Sequence, residues 1–237
     1  MAATVAIGLV IGAALGALMT RGKLCFNAAL RRTVFEREPT VLRAFAIAVA
    51  IQLMLLPVLV VLGVSLAPVG LFPLAQVVGG LVFGVGMALA GGCITGILWK
   101  AGAGSIATAV AIAGFAAGEL AIRGPGLQAL SALDRASPRP AGQTVHGALG
   151  LPYEPVAAVL GALLLAILLR RSRAGLGLGL GLGALSALAW LAADVVGAGY
   201  GLGFTGTAEN VRRSLAAGDP SLLSWPVFLA LGVIAGG

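Results

Sequence analysis

The sequence predicts an all-α polytopic membrane protein, and three observations carry the prediction. Of 237 residues, 59% are apolar and 10% charged, against about 25% charged in an ordinary soluble domain. The mean hydropathy is +1.07. The apolar residues fall into uncharged runs close to the roughly 17–25 residues that a crossing helix needs. Eight acidic and fifteen basic residues cannot cover a water-exposed surface around this much Ala, Leu, Val and Gly. A soluble domain is thereby excluded, and so is disorder, because disordered chains are polar. Collagen needs Gly at every third position, a period that the 37 glycines lack. A net charge of +7 would point a soluble protein toward nucleic acid. Here the cations sit between apolar runs, where the positive-inside rule and anionic headgroups account for them. The lipid bilayer is therefore the expected partner, and nucleic acid is not.

The predicted spans are Ala3–Met19, Ala44–Leu66, Pro73–Trp99, Ala103–Leu120, Pro155–Leu169 and Leu176–Ala193, within a single integral membrane domain, 1–237. A last run, Leu222–Gly237, stops after 16 residues and reads as a truncated seventh span. No Lys or Arg precedes Arg21, so the first run lacks the basic n-region of a signal peptide and is expected to stay as a helix. With the N-terminus outside, Arg21, Lys23, Arg31, Arg32, Arg37, Arg43, Lys100, Arg170, Arg171 and Arg173 face the cytoplasm. Arg123, Arg135, Arg139, Arg212 and Arg213 then lie outside, and ten against five favours this orientation. The proline-bearing stretch 122–151 becomes an external loop.

Glycine recurs every fourth residue at Gly8, Gly12 and Gly16, at Gly80 and Gly84, at Gly92 and Gly96, and at Gly175, Gly179 and Gly183. Such small faces let helix backbones approach closely in lipid. The alternating Gly-Leu run over 175–183 spreads its glycines around the helix, which predicts packing on more than one side. Trp99, Trp190 and Trp225 read as interface anchors. Glu119 and Asp194, near helix ends, read as solvated carboxylates dispensable for function.

Two stretches break the pattern. In Arg21–Arg32 the apolar core is about half a crossing long and bracketed by cations. It reads as an interfacial helix or, favoured by Cys25 and Asn27, as a half-helix dipping into the protein. Pro73–Trp99 is longer than one untilted crossing, and Gly91-Gly92 past its middle makes continuous helix costly, about 1 kcal/mol per glycine relative to Ala. A break there starts a new half-helix carrying Cys93 and Thr95. Its N–H groups favour an anion, and broken helices near the midplane point to a transport site.

Cys25 and Cys93 are the only cysteines. Each reads as a small buried hydrophobe or as a functional thiol, and two residues 68 apart in sequence give no ground for a disulfide. Without Cys-x-x-Cys, and with a single His146 in the outer loop, a metal site is not expected. No nucleophile–base pair, Walker sequence or paired carboxylates occurs, so neither enzyme chemistry nor a cofactor is expected.

Leu24-Cys25-Phe26-Asn27-Ala28-Ala29-Leu30-Arg31-Arg32 and Gly91-Gly92-Cys93-Ile94-Thr95-Gly96 resemble the motifs of the YeeE/YedE family of sulfur-compound transporters, bacterial thiosulfate permeases among them. The resemblance implies transmembrane helices plus re-entrant half-helices in two pseudo-symmetric inverted halves, the second incomplete here: 1–121 as the first half and 152–237 as part of the second. It implies a bacterial inner-membrane location. Its cysteines are those that hand thiosulfate along by S–H···S hydrogen bonds, Cys25 and Cys93 being two of them. A third, in a Gly-Cys motif of the second half, has no counterpart. The resemblance also implies a cytosolic sulfur-carrier protein as partner. A faint internal echo fits inverted halves, with Thr207-Ala208-Glu209-Asn210-Val211-Arg212-Arg213 against Phe26–Arg32.

Thiosulfate uptake sets the chemistry. A neutral thiol is a weak donor suited to a soft sulfur, whereas a thiolate would repel the dianion. Gly91 and Gly92 would offer N–H groups to its oxygens, and Asn27 and Thr95 further donors. Cys25 is expected nearer the cytoplasmic mouth than Cys93. The rival reading is a membrane thiol–disulfide carrier in which Cys25 and Cys93 cycle between dithiol and disulfide. A bland third is a helical scaffold.

Overall fold

The computed structural model describes residues 1–65, 72–122, 144–148 and 150–237. Every regular element among them is helical. In chain order these are α1 (Ala2–Gly22), α2 (Phe26–Arg31, continued by a π-helical turn, Arg32–Glu36), α3 (Thr40–Val61), α4 (Pro73–Leu89), α5 (Ile94–Gly102) and α6 (Ile106–Ala121). A single turn, α7 (Val145–Ala148), precedes α8 (Tyr153–Arg171), α9 (Leu176–Val195), α10 (Thr207–Ala217), a 3-10 turn (Pro220–Leu222) and α11 (Trp225–Gly236). The predicted span end at Leu66 and most of the loop 122–151, with Arg123, Arg135 and Arg139, lie outside the described residues.

Five helical stretches are long and apolar enough to cross a membrane: Ala2–Glu36, Thr40–Val61, Pro73–Gly102, Tyr153–Arg171 and Leu176–Val195. The sequence predicts six full spans and a seventh partial one. The difference is α6, which at 16 residues falls short of a crossing; α11 has 12. The predicted break of Pro73–Trp99 is present, between α4 and α5.

Helix boundaries moved where side chains found backbone partners. α3 starts one turn earlier than predicted and takes in Arg43. The Arg43 guanidinium donates through Nη2 to the carbonyls of Leu168 and Ser172 at 2.6 and 2.7 Å. These belong to the C-terminal end of α8, where unpaired carbonyls and the negative end of the dipole favour a cation. α3 stops at Val61 because Gly63, at φ +95°, turns the chain into a Schellman cap, with Val64 N–H on the Leu59 carbonyl at 2.9 Å.

The glycine faces set which helices touch. A β-carbon on Gly8 would stand 2.9 Å from Phe228 Cβ, and one on Gly12 or Gly16 would run into the carbonyl of Leu229 or Val233. The numbers rise together, so α1 and α11 run parallel with their backbones in close approach. Gly179 and Gly183 of α9 meet Ile47 and Ile51 of α3, also in parallel. Gly181 meets Leu18, and Gly22 meets Leu178, so α9 runs antiparallel to α1. The alternating run thus packs on two sides, as predicted. Gly161 meets Ala50, Leu53 and Met54; with the Arg43 bonds, this makes α8 antiparallel to α3.

Consequently α1, α8 and α11 point one way and α3 and α9 the other. α2 follows the end of α1, whereas α10 precedes the start of α11, so these two short helices occupy opposite ends of the bundle. Arg21, Arg31, Arg32, Arg170 and Arg171 gather at the α2 end; Arg212 and Arg213 sit at the α10 end.

Gly80 and Gly84 behave differently. A β-carbon on either meets nothing within 4 Å among the described residues, so the packing role predicted for them is not seen there. Neighbouring Leu81, Val82, Phe83 and Val85 are exposed, as are Ile106 and Val110 on α6. In a chain this apolar, such a surface is solvated by lipid rather than water. The core lies between α1, α9 and α11, around Leu15, Leu182, Leu229 and Val233.

Two tryptophans depart from the anchor role. Trp225 is 1% exposed and its indole N–H donates to the Gly201 carbonyl at 2.7 Å, since a buried indole must satisfy its donor. Trp99 packs against the core and donates to the Leu24 carbonyl at 3.1 Å.

Candidate functional site

The same local structure occurs twice, 68 residues apart. α1 ends with Lys23 in the left-handed region at φ 47°. Lys23 N–H bonds the Thr20 carbonyl and Leu24 N–H the Met19 carbonyl. α4 ends with Gly91 at φ +68°, its N–H on Ala88 and the Gly92 N–H on Met87. Both are Schellman caps, in which the left-handed residue reverses the chain and spends the last orphan carbonyls. Two residues after each left-handed residue comes a cysteine in extended backbone that caps the next short helix: Cys25 for α2 and Cys93 for α5. Met19 and Met87 occupy matching positions, six residues before each cysteine.

This corrects one sequence expectation in detail. The N–H groups of Gly91 and Gly92 are turned back onto α4 and are not offered to a ligand. The donors left without intrahelical partners are those in the first turn of α5, Ile94, Thr95 and Gly96.

The two corners meet. Cys25, Cys93 and Met87 form one buried cluster, 1%, 7% and 8% exposed, with Ala28 against it. Cys25 and Cys93 thus stand together, and both thiols are free. Cys25 stands at the N-terminus of α2 and Cys93 at that of α5, so two helix N-termini, each a site of positive partial charge, converge on two sulfurs.

Gly96 makes the approach sterically feasible. A β-carbon there would stand 2.6 Å from Cys25 Sγ and 3.4 Å from Cys93 Sγ. Thr95 Oγ1 lies 3.2 Å from Cys93 Sγ. Asn27 is not aimed at a ligand with its amide nitrogen: Nδ2 donates to the Met87 carbonyl at 3.0 Å, tying α2 to the end of α4. Trp99 and Lys100 on α5 hold the corner ahead of each cysteine, the indole on the Leu24 carbonyl and the Lys100 ammonium on the Gly91 carbonyl at 2.8 Å. Behind the second corner, a cavity of about 690 Å³ between α4, α5 and α6 reaches Met87, Gly91 and Gly92.

Sequence reasoning gives Met87, Trp99 and Lys100 no site role, and places Gly96 only in a packing face and a motif. The signal for Met87 was present as the matched Met19 and Met87 at the same offset as the cysteines. Glu119 also departs from a solvated carboxylate, since its Oε2 accepts the Ala208 N–H at 3.2 Å and so caps α10. Asp194 accepts the Ser65 N–H at 3.1 Å in an exposed position. Among the described residues no group of three His, Cys, Asp or Glu is placed to hold a metal ion.

Residues 21–177 match a family described as sulphur transport. The chain is 28% identical over 260 residues to the thiosulfate transporter TsuA of Escherichia coli (strain K12), covering 97% of this chain and 72% of the relative. It is 28% identical over 250 residues to the thiosulfate transporter TsuA of Spirochaeta thermophila, covering 97% and 75%. A 100-residue stretch is 33% identical to the probable transporter YedE of Escherichia coli (strain K12), covering 42% of this chain and 25% of the relative.

Proposed function

The chain belongs to the sulphur transport family, and from that premise we propose that it is a permease carrying thiosulfate or a related sulfur anion into the cytoplasm through a constriction lined by Cys25 and Cys93. One observation carries the reading: two helix N-termini bring two buried, reduced thiols into contact at the junction of two half-helices. A thiol donates weakly to a soft sulfur acceptor, so it can replace hydration without holding the ligand too tightly to leave. The converging N-termini favour the anion's charge, with the first-turn N–H groups of α5 and Thr95 Oγ1 supplying donors to its oxygens. The groove behind Gly91 and Gly92 is the approach from one side.

The bacterial inner membrane, with the N-terminus outside, is supported by the cations gathered at the α2 end. A first half over 1–121 and a second over 152–237 is supported by α2 and α10 lying at opposite ends. The cytosolic sulfur-carrier partner rests on the family resemblance alone.

The contact between the thiols also favours a second reading, a thiol–disulfide carrier cycling Cys25 and Cys93. One experiment separates the two. Labelled thiosulfate uptake, normalised to the amount of protein in the membrane, should be lost in Cys93→Ala and Cys93→Ser, since a hydroxyl is a harder donor than a thiol. Undiminished uptake in Cys93→Ala would overturn the permease site. A Cys25–Cys93 disulfide that forms and is reduced during turnover would establish the carrier instead.

A further inference from the structure

The cluster at the two corners holds a third sulfur that the transport reading does not use. Met87 belongs to the same buried cluster as Cys25 and Cys93. Its place is fixed by the backbone, because the Met87 carbonyl accepts both the Gly92 N–H at 3.1 Å and the Asn27 amide at 3.0 Å. We propose that Cys25, Cys93 and Met87 form a binding site for a soft monovalent cation, Cu(I) or Ag(I), with the two cysteine sulfurs as thiolate ligands and the Met87 thioether as a weaker third.

Three arguments support it. The ligands are all soft, and thiolate with thioether selects Cu(I) over hard cations. Zinc is disfavoured because it needs four N, S or O ligands, and no third His, Cys, Asp or Glu stands beside the cysteines among the described residues. The charge is also provided for. Binding exchanges two S–H protons for one cation, so Cu⁺ + 2 RSH → [Cu(SR)₂]⁻ + 2 H⁺. The single negative charge left behind sits at the N-termini of α2 and α5, which Cys25 and Cys93 begin. The geometry is pre-set, since Trp99 and Lys100 pin both corners and little ordering remains to be done on binding. Because the metal would occupy both thiols, it would act as an inhibitor competing with any ligand of theirs.

The test is a competition for Cu(I) between the purified chain in detergent and bicinchoninate, run without oxygen, and repeated with Ag(I), which cannot oxidise thiols. One Cu(I) per chain should be withdrawn from the chelator. Met87→Leu keeps the volume and the fold, and should weaken binding by about tenfold or more, a loss that even outer changes produce at metal sites. Cys93→Ala should abolish binding, and excess Zn(II) should leave it unchanged. Failure of the parent chain to compete, displacement by Zn(II), or Met87→Leu binding as tightly as the parent would each overturn the assignment. The readout is metal binding alone, so it stands or falls apart from transport.

Discussion

Gly96→Ala probes how closely the two thiols must stand. The added methyl would lie 2.6 Å from Cys25 Sγ and 3.4 Å from Cys93 Sγ. Carbon–heavy-atom contacts are most favourable at about 3.5–4.0 Å, so the Cys25 sulfur must retreat by about an ångström. Cys25 is buried and Leu24 beside it fully so, leaving no room without a change of rotamer. Overpacking of this kind costs about 1–3 kcal/mol, while Ala in place of Gly within α5 returns about 1 kcal/mol of helix propensity. The net loss of stability is then no more than about 2 kcal/mol, and the protein should still reach the membrane. Function should suffer more, since a misplacement of about 1 Å at a reacting centre can cost about a hundredfold. Thiosulfate uptake per molecule is expected to fall about tenfold to a hundredfold. Thermal unfolding in detergent supplies the control: Cys25→Ala removes the sulfur that the methyl strikes, so it should relieve the destabilisation by Gly96→Ala. Neighbouring sites that share a contact are non-additive in this way. Strictly additive losses in the double variant, together with normal uptake in Gly96→Ala, would refute the steric argument.

Two further outcomes follow from the corners and caps. Lys23 holds a left-handed conformation that costs a side-chain-bearing residue about 1–2 kcal/mol, whereas Gly91 serves the equivalent corner with none of that strain; Lys23→Gly should therefore raise the melting temperature in detergent, and a drop would show that the Lys23 side chain matters more than its backbone. Glu119→Gln keeps an oxygen to accept the Ala208 N–H and should leave uptake within a few-fold of the parent, while Glu119→Ala should cost about 1 kcal/mol of stability, the usual worth of a helix cap. A severe transport defect in the Gln variant would show that the negative charge, rather than the cap, is what α10 needs.

Composition and local spacing alone determined the helical membrane class, the break at Gly91-Gly92 and the glycine faces of α1 and α9; Cys25 and Cys93 were singled out by motif resemblance. Each is a property of a few neighbouring residues: an apolar run, a helix-breaking doublet, a four-residue period. The glycines of α4 show the limit, because Gly80 and Gly84 have the same spacing as Gly8 and Gly12 yet meet no neighbour among the described residues. Only the tertiary structure decided which faces would be used. It alone brought Cys25 against Cys93 and Met87, turned the Gly91 and Gly92 N–H groups back onto α4, buried Trp225 on Gly201, and made Glu119 the cap of α10. In every one of these cases the partner lies on another element or is chosen by a backbone turn. A hydrogen bond between residues 24 and 99, or 119 and 208, forms because packing brings the groups together. Local sequence says what each group can donate or accept, and the packed helices say to whom.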